Sequence, residues 1–321
     1  MHGGQAIPAR RLRSNDACWC GSKKKLKRCH GDHESFRRAP IRPGTVSPML
    51  AVPDGIEAPY YVGATKRPRT GVSIVTDPAE LVALERASRL AAQVLQTTGA
   101  AVRPGVTTDE LDAVAHQAYL DRGTYPSTRG YGTYTKSICT SVNEVVCHGI
   151  LDDRPLQAGD IVNVDVTAFV DGFHGDTSAT FLVGEVDEPT RALVETARAA
   201  RDVGISAVRP GKTINVIGRA IQHYAHQRGY GVVSDYGGHG IGREFHAAPH
   251  IFHVDTRGAD TVMVPGMVFT IEPMLNAGVS THTMWDDGWT VVTEDGLPSA
   301  QFEHTVIVTE DGARVLTLPE G

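Results

Sequence analysis

Ile161-Val-Asn-Val-Asp165-Val-Thr-Ala-Phe-Val170 runs into Asp171-Gly172 and continues as Phe173-His-Gly-Asp176-Thr-Ser178. The first run alternates like a strand, with Val162, Val164, Val166 and Ala168 on one side and Asn163, Asp165 and Thr167 on the other. Asp171-Gly172 reads as a two-residue hairpin loop. Val170 then lies opposite Phe173 and Asp165 opposite Ser178, so Asp165 and Asp176 become diagonal neighbours on one face, about 7–8 Å apart at Cα. Two carboxylates aimed at one point repel unless a proton or cations lie between them. The hairpin therefore predicts a place for metal ions.

Working outward, three further acceptors join the pair. Glu272 closes the apolar run Met267-Val-Phe-Thr-Ile-Glu, where an unpaired carboxylate would be costly. Glu303-His304 opens a predicted strand from Glu303 to Val308. His239 sits in Gly237-Gly-His-Gly-Ile-Gly242, whose glycines let the backbone pack close to the ring. That string lacks the strand–helix frame of a nucleotide fingerprint, and there is no Gly-x-Ser-x-Gly elbow for a serine hydrolase. Four carboxylates and one imidazole suit two divalent ions such as Mn, Fe or Co, with Zn also possible. Such ions acidify a water, which gives hydrolysis without a protein nucleophile.

Helix signals frame these strands. Asp77-Pro-Ala-Glu80 offers an Asp cap, Pro at the first helical position and Glu placed to return a bond to the cap. A second helix begins at Thr107, with Glu110 in the reciprocal position, and stops near Gly123. The chain also repeats. Val102-Arg-Pro-Gly105, a Thr-started helix and Arg122-Gly123 recur as Val208-Arg-Pro-Gly211, a helix from Thr213 and Arg228-Gly229. Gly159-Asp-Ile-Val-Asn-Val-Asp165 likewise resembles Gly266-Met-Val-Phe-Thr-Ile-Glu272. Two related halves facing each other would put Asp165 and Glu272 at equivalent points beside a pseudo-twofold axis.

Composition divides the 321 residues into three. Residues 1–34 are basic and Cys-rich, and 35–68 hold six prolines and read as an extended joining segment. Residues 69–321 alternate helix and strand signals, enough chain to bury a substantial core. Residues 1–38 carry a net charge of +7 against −13 for the remainder, which points the head toward an anionic partner, nucleic acid or a ribosome first. No apolar run approaches the ~18 residues needed to span a bilayer. Met1 to Arg13 has basic residues but no apolar core after them. The expected address is the cytoplasm, with no membrane partner, and the five Cys are expected as thiols or metal ligands rather than disulfides.

Val145-Val-Cys-His-Gly149, Asn163-Val-Asp165, Gly175-Asp-Thr177, Gly238-His-Gly-Ile-Gly242, Thr270-Ile-Glu-Pro273 and Gln301-Phe-Glu-His-Thr305 resemble, in order, the signature segments of type I methionine aminopeptidases. The resemblance implies an α/β pita-bread fold of two pseudo-symmetric halves. It implies removal of initiator methionine from nascent chains with a small second residue, by a protein expected to be monomeric. Its metal ligands would be Asp165, Asp176, His239, Glu272 and Glu303, with Asp165 and Glu303 as bridges. His148 and His246 would be non-ligand catalytic histidines that contact substrate, and Glu272 would shuttle a proton. Tyr131, Tyr134, Cys139, Phe245 and Trp289 would line the methionine pocket. Cys18, Cys20, Cys29 and His30 resemble the short zinc motif at the C-terminus of the SecA translocation ATPase, implying a structural Cys₃His zinc site in a head that docks near the ribosome. A proline-specific peptidase on the same fold and a non-catalytic adaptor are the rival readings.

Overall fold

The computed structural model describes residues 40–63 and 71–319, with Asn15 and Lys25. Cys18, Cys20, Cys29 and His30, expected from the resemblance to hold zinc, lie outside the described residues, as do 64–70 of the chain leading into the body.

The first half comprises α1 (Pro78–Ala100), α2 (Thr108–Asp121), β1 (Tyr125–Pro126), β2 (Cys139–Val142), β3 (Val145–Cys147), β4 (Ile161–Val170) and β5 (Phe173–Leu182). The second comprises α3 (Glu188–Ser206), α4 (Asn215–Gln227), β6 (Gly231–Val232), β7 (Gly238–Gly240), β8 (Ala247–Ile251), β9 (Val268–Ile271), β10 (Met274–Asn276), β11 (His282–Met284), β12 (Val291–Thr293), β13 (Ser299–Gln301), β14 (Glu303–Val308) and β15 (Ala313–Val315). The main sheet runs β1-β4-β5-β14-β9-β7-β8, with β2 also on β4 and β15 also on β14. The halves meet where β5 pairs antiparallel with β14.

One face of this sheet is covered by helices. Val164, Val166 and Ala168 of β4 pack with Ala91 and Val94 of α1 and Ala115 and Tyr119 of α2. Phe269 and Ile271 of β9 and Val306 of β14 pack in the same way with Leu193 and Ala197 of α3 and Ile217 and Ile221 of α4. The repeat in the sequence is thus a repeat of layers, and period-2 alternation leaves the opposite face polar in both halves.

The β4–β5 hairpin has the expected register, Val170 with Phe173 and Asp165 with Ser178. Asp171 and Gly172 take positive φ (53° and 76°), as a type I′ turn requires. The Thr107–Glu110 capping box is present. Asp77 caps α1, but Glu80 does not return the bond: its carboxylate accepts instead from Arg243 (2.7 and 3.1 Å), a charge-assisted pair that outcompetes a local amide. Helix α4 starts at Asn215 rather than Thr213, because Thr213 is drawn into a bridge with Val262.

Residues 40–63 form an irregular strap against the body. A Pro-rich stretch has no ladder of its own, so its backbone groups must find other partners. Ile41 N–H reaches Glu144, Gly44 N–H reaches Asp152 (2.8 Å) and Thr45 N–H reaches Asp153 (2.8 Å). The fully buried Lys136 ammonium donates to Ser47 Oγ (2.7 Å), while Arg129 and His116 donate to the carbonyls of Leu50 and Ala51 (2.6 and 2.9 Å). At its far end Tyr61 is buried and its hydroxyl donates to Ser127 O (2.6 Å).

Helix α1 lies so close to β5 that a Cβ on Gly175 would sit 2.4 Å from the Ser88 backbone. Gly175→Ala is expected to destabilise the fold by about 1–3 kcal/mol or more through overpacking. A urea unfolding midpoint unchanged from the parent would refute that close approach.

Candidate metal centre

The polar face of the sheet carries the site on a single rung. Cys139 on β2 pairs with Asp165 on β4, Asp165 with Ser178 on β5, and Ser178 with Glu303 on β14. His304 pairs with Ile271, so the same register sets Glu272, the residue after β9, opposite Glu303. Directly paired residues share a face, and the three acids therefore point into one cavity. Asp176 is two residues from Ser178 and projects the same way. His239 joins from β7, where its backbone N–H donates to Thr270 Oγ1 (3.0 Å). This approach needs glycine on both sides: a Cβ on Gly238 or Gly240 would meet a carbonyl oxygen at 2.1 Å.

Ligand atoms of Asp176, His239 and Glu303 lie within 4.8 Å of one another. His239 Nε2 is 3.6 Å from Asp176 Oδ2 and 3.7 Å from Glu272 Oε1. The other ring nitrogen, Nδ1, is 3.1 Å from Gly240 O and carries the proton, leaving the Nε2 lone pair facing the acids. Thr167 Oγ1 donates to Asp176 Oδ1 (2.8 Å) and Thr270 Oγ1 to Glu272 Oε1 (2.7 Å). Gln301 Nε2 donates to Glu272 Oε2 (3.2 Å), and the Glu272 backbone N–H donates to His253 Nε2 (3.1 Å). These supporting groups were not among the residues singled out by sequence. A strand signal was available for three of them, since Thr167 lies opposite Asp176 in the hairpin register, Thr270 is two residues from Glu272 and Gln301 two from Glu303.

Burial pushes the Asp165 carboxyl up to about 7 and that of Glu272 to about 8. Asp176 and Glu303 are raised by burial and then by the neighbouring acids. The ring of His239 is pushed down to about 4, chiefly by burial, so it is neutral and able to ligate. Among the described residues, no Lys or Arg lines the cavity. Four buried acids without a cationic side chain, beside an imidazole with a free lone pair, fit divalent cations.

The cavity is about 440 Å³. All five acid and imidazole groups line it, together with His148, His246, Tyr131, Tyr134, Cys139, Phe245 and Trp289, so every body residue proposed from sequence comes to one place. Tyr131 and Phe245 meet at 4.9 Å and Tyr134 and Trp289 at 5.2 Å, both edge-on. The His148 backbone has φ 57°, in the left-handed region that non-glycine residues seldom adopt. Its ring is held neutral, burial pushing it down to about 4.

A two-half α/β sheet with this donor set defines a pita-bread metal-dependent hydrolase. The family model for metallopeptidase family M24 matches residues 82–310, and a SEC-C motif matches residues 15–32. Methionine aminopeptidase 2 of Mycobacterium tuberculosis is 49% identical over 280 residues, 87% of this chain and 98% of that protein. The chloroplastic/mitochondrial methionine aminopeptidase 1D of Arabidopsis thaliana is 48% identical over 282 residues, 88% of this chain and 80% of that protein. The crystal structure of methionine aminopeptidase from Rickettsia prowazekii superposes with TM-score 0.75 at 44% identity, covering 77% of this chain and 100% of that one. The chain belongs to metallopeptidase family M24, among its methionine aminopeptidases. Among the described residues, no helix is long and apolar enough to cross a membrane.

Raised carboxyl pKa values fix the sign of two pH effects. Buried histidines held neutral, such as His148 and His239, favour the native state as pH rises to about 6.5, the ordinary histidine value; above that, and up to the folded carboxyl values of about 7 and 8, the metal-free native state binds more protons than the unfolded state. Metal-free protein should therefore lose thermal stability as pH rises from about 6.5 to 8, and added Mn²⁺ should reverse the loss. Metal binding should also release protons and tighten with pH over the same range, as read by calorimetry in buffers of different ionisation enthalpy. A pH-independent melting temperature and no proton release would remove this account of the acid cluster.

Proposed function

We propose that this chain removes the N-terminal methionine from newly made polypeptides whose second residue is small. The observation that carries the reading is the rung of acids opening onto a cavity lined by aromatic rings and a thiol. Asp165, Asp176, His239, Glu272 and Glu303 would hold two divalent ions of the Mn, Fe, Co or Zn type. When bound, such ions supply Lewis-acid activation of a water and of the scissile carbonyl. Asp165 and Glu303 flank Ser178 on the rung, and the family resemblance makes them the two that both ions would share.

The chain's own groups account for the rest. His148 and His246, on the cavity wall, donate N–H bonds to the substrate carbonyl and to the negative charge that develops on it. Glu272 is aimed by Thr270 and Gln301. It takes the proton of the attacking water and delivers it to the leaving amine. Tyr131, Tyr134, Cys139, Phe245 and Trp289 grip the methionine thioether, which favours polarizable, aromatic surroundings. Branched or larger first residues are rejected from this pocket mainly by size.

In this reading residues 69–321 are the catalytic domain and 35–68 join it to the head. Cys18, Cys20, Cys29 and His30 of the SEC-C motif hold a structural zinc that folds residues 1–34. Their basic charge then docks the enzyme near the ribosome.

Asp176→Asn and Glu303→Gln should each abolish release of methionine from Met-Ala-Ser and lower bound metal, with the far-UV circular dichroism unchanged. Wild-type turnover in either variant would rule out the ligand assignment. Cleavage of Xaa-Pro peptides without action on Met-Ala-Ser would favour a proline-specific peptidase, and purified protein free of transition metal would favour an adaptor. Deleting residues 1–34 should weaken ribosome co-sedimentation while sparing peptide cleavage; equal co-sedimentation would refute the docking role.

A further inference from the structure

Behind the cavity wall stands a second tier of rings. Tyr61, at the end of the strap, lies outside the region that matches the M24 family. It meets Tyr131 edge-on at 5.1 Å and stacks on His174 at 5.9 Å and 18°. His174, on β5, is fully buried and stacks in turn on Phe245 at 5.5 Å and 12°, with Phe169 against it at 4.7 Å. Neither Tyr61 nor His174 lines the cavity. Both are tied to one residue: the Tyr61 hydroxyl donates to Ser127 O (2.6 Å), and His174 Nδ1 is 2.8 Å from Ser127 Oγ. Ser127 N–H in turn donates to Thr167 O, the residue whose hydroxyl supports Asp176.

The front tier is built from those same contacts. Tyr131 packs on both Phe245 (4.9 Å) and His246 (5.0 Å), and Phe245 and His246 touch at 4.1 Å. His246 also packs at 4.2 Å on the candidate ligand His239. Tyr131 and Phe245 come from segments more than a hundred residues apart. Tyr61 touches the first directly and the second through His174. A planar stack with one hydrogen-bond anchor has few ways to relax, because packed interiors do not deform continuously.

We propose that Tyr61 and His174 are positioning residues of the methionine pocket, and that the stack Tyr61–His174–Phe245 fixes the spacing between Tyr131 and Phe245. The strap thereby completes a specificity site whose lining comes wholly from the M24-matched region. The proposal rests on the methionine-pocket reading above and deepens it. Its effect falls on substrate fit, because the rung of acids is held by the sheet and its own hydroxyl and amide donors.

The test uses full-length protein loaded with Mn²⁺ and the peptides Met-Ala-Ser and norleucine-Ala-Ser. Tyr61→Leu removes the ring and keeps an apolar side chain. It should raise KM for Met-Ala-Ser about tenfold, the scale on which a pocket senses a methylene. It should also narrow the preference for Met over norleucine, leaving kcat and bound manganese close to the parent. Tyr61→Phe, which keeps the stack, should restore KM and preference. Tyr61→Met, flexible and apolar, is the second variant should the leucine protein not fold, with the same expectation. An unchanged KM and preference would overturn the proposal. So would a fall in kcat and bound manganese at constant KM, or a phenylalanine variant as impaired as the leucine one. Failure of the parent enzyme to release methionine would instead sink the activity reading.

Discussion

Mutual repulsion among four buried carboxylates is the constraint around which the molecule is arranged. Each acid has left water, none has a lysine or arginine in the cavity, and burial holds their pKa values high. An arrangement like that persists only because the backbone over-determines it. Asp165 and Glu303 sit on strands paired through β5, and Asp176 on β5 itself is fixed by the β4–β5 hairpin. Hydroxyls of Thr167 and Thr270 and the amide of Gln301 then take up acceptor atoms that the acids would otherwise turn on one another. Divalent cations would supply the counter-charge that fits such a cluster.

The sheet can carry this charge because its two faces are segregated in both halves. Helices α1 and α3 cover equivalent apolar strips, over β4 and over β9 and β14, and the acids look the other way. Close backbone approach makes the layers thin: glycine at 175 admits α1, and glycines flanking His239 let β7 lie against its neighbours. The candidate metal group Asp176, His239 and Glu303 draws on both halves, so neither half alone holds it.

Much of this was legible in the chain. The Asp171-Gly172 turn fixes the hairpin register by local chemistry, and the register alone puts Asp165 and Asp176 on one face. The repeat signalled two halves, and glycines around His239 signalled close packing. What stayed hidden was non-local. Nothing in the sequence states that β5 pairs with β14, so the straight rung through Glu303 and Glu272 could be placed only by family resemblance. Thr270 and Gln301 looked like ordinary strand polars until the acids beside them were seen to need donors. Glu80 carried a valid capping signal that lost to Arg243, a partner 163 residues away. The strap was equally opaque. Its prolines erase periodicity, and its hydrogen-bond partners in the body lie from 65 to 184 residues downstream.

That separation sets an order of events during synthesis. Residues 40–63 leave the ribosome well before Ser127, Lys136, Glu144, Asp152 and Glu244 exist to receive them. Until then the stretch can only stay hydrated, and its prolines keep it from collapsing into a premature helix or strand. The strap is made before the partners that hold it, and the ring of Tyr61 can be fixed only once Ser127, Tyr131 and His174 have followed it out.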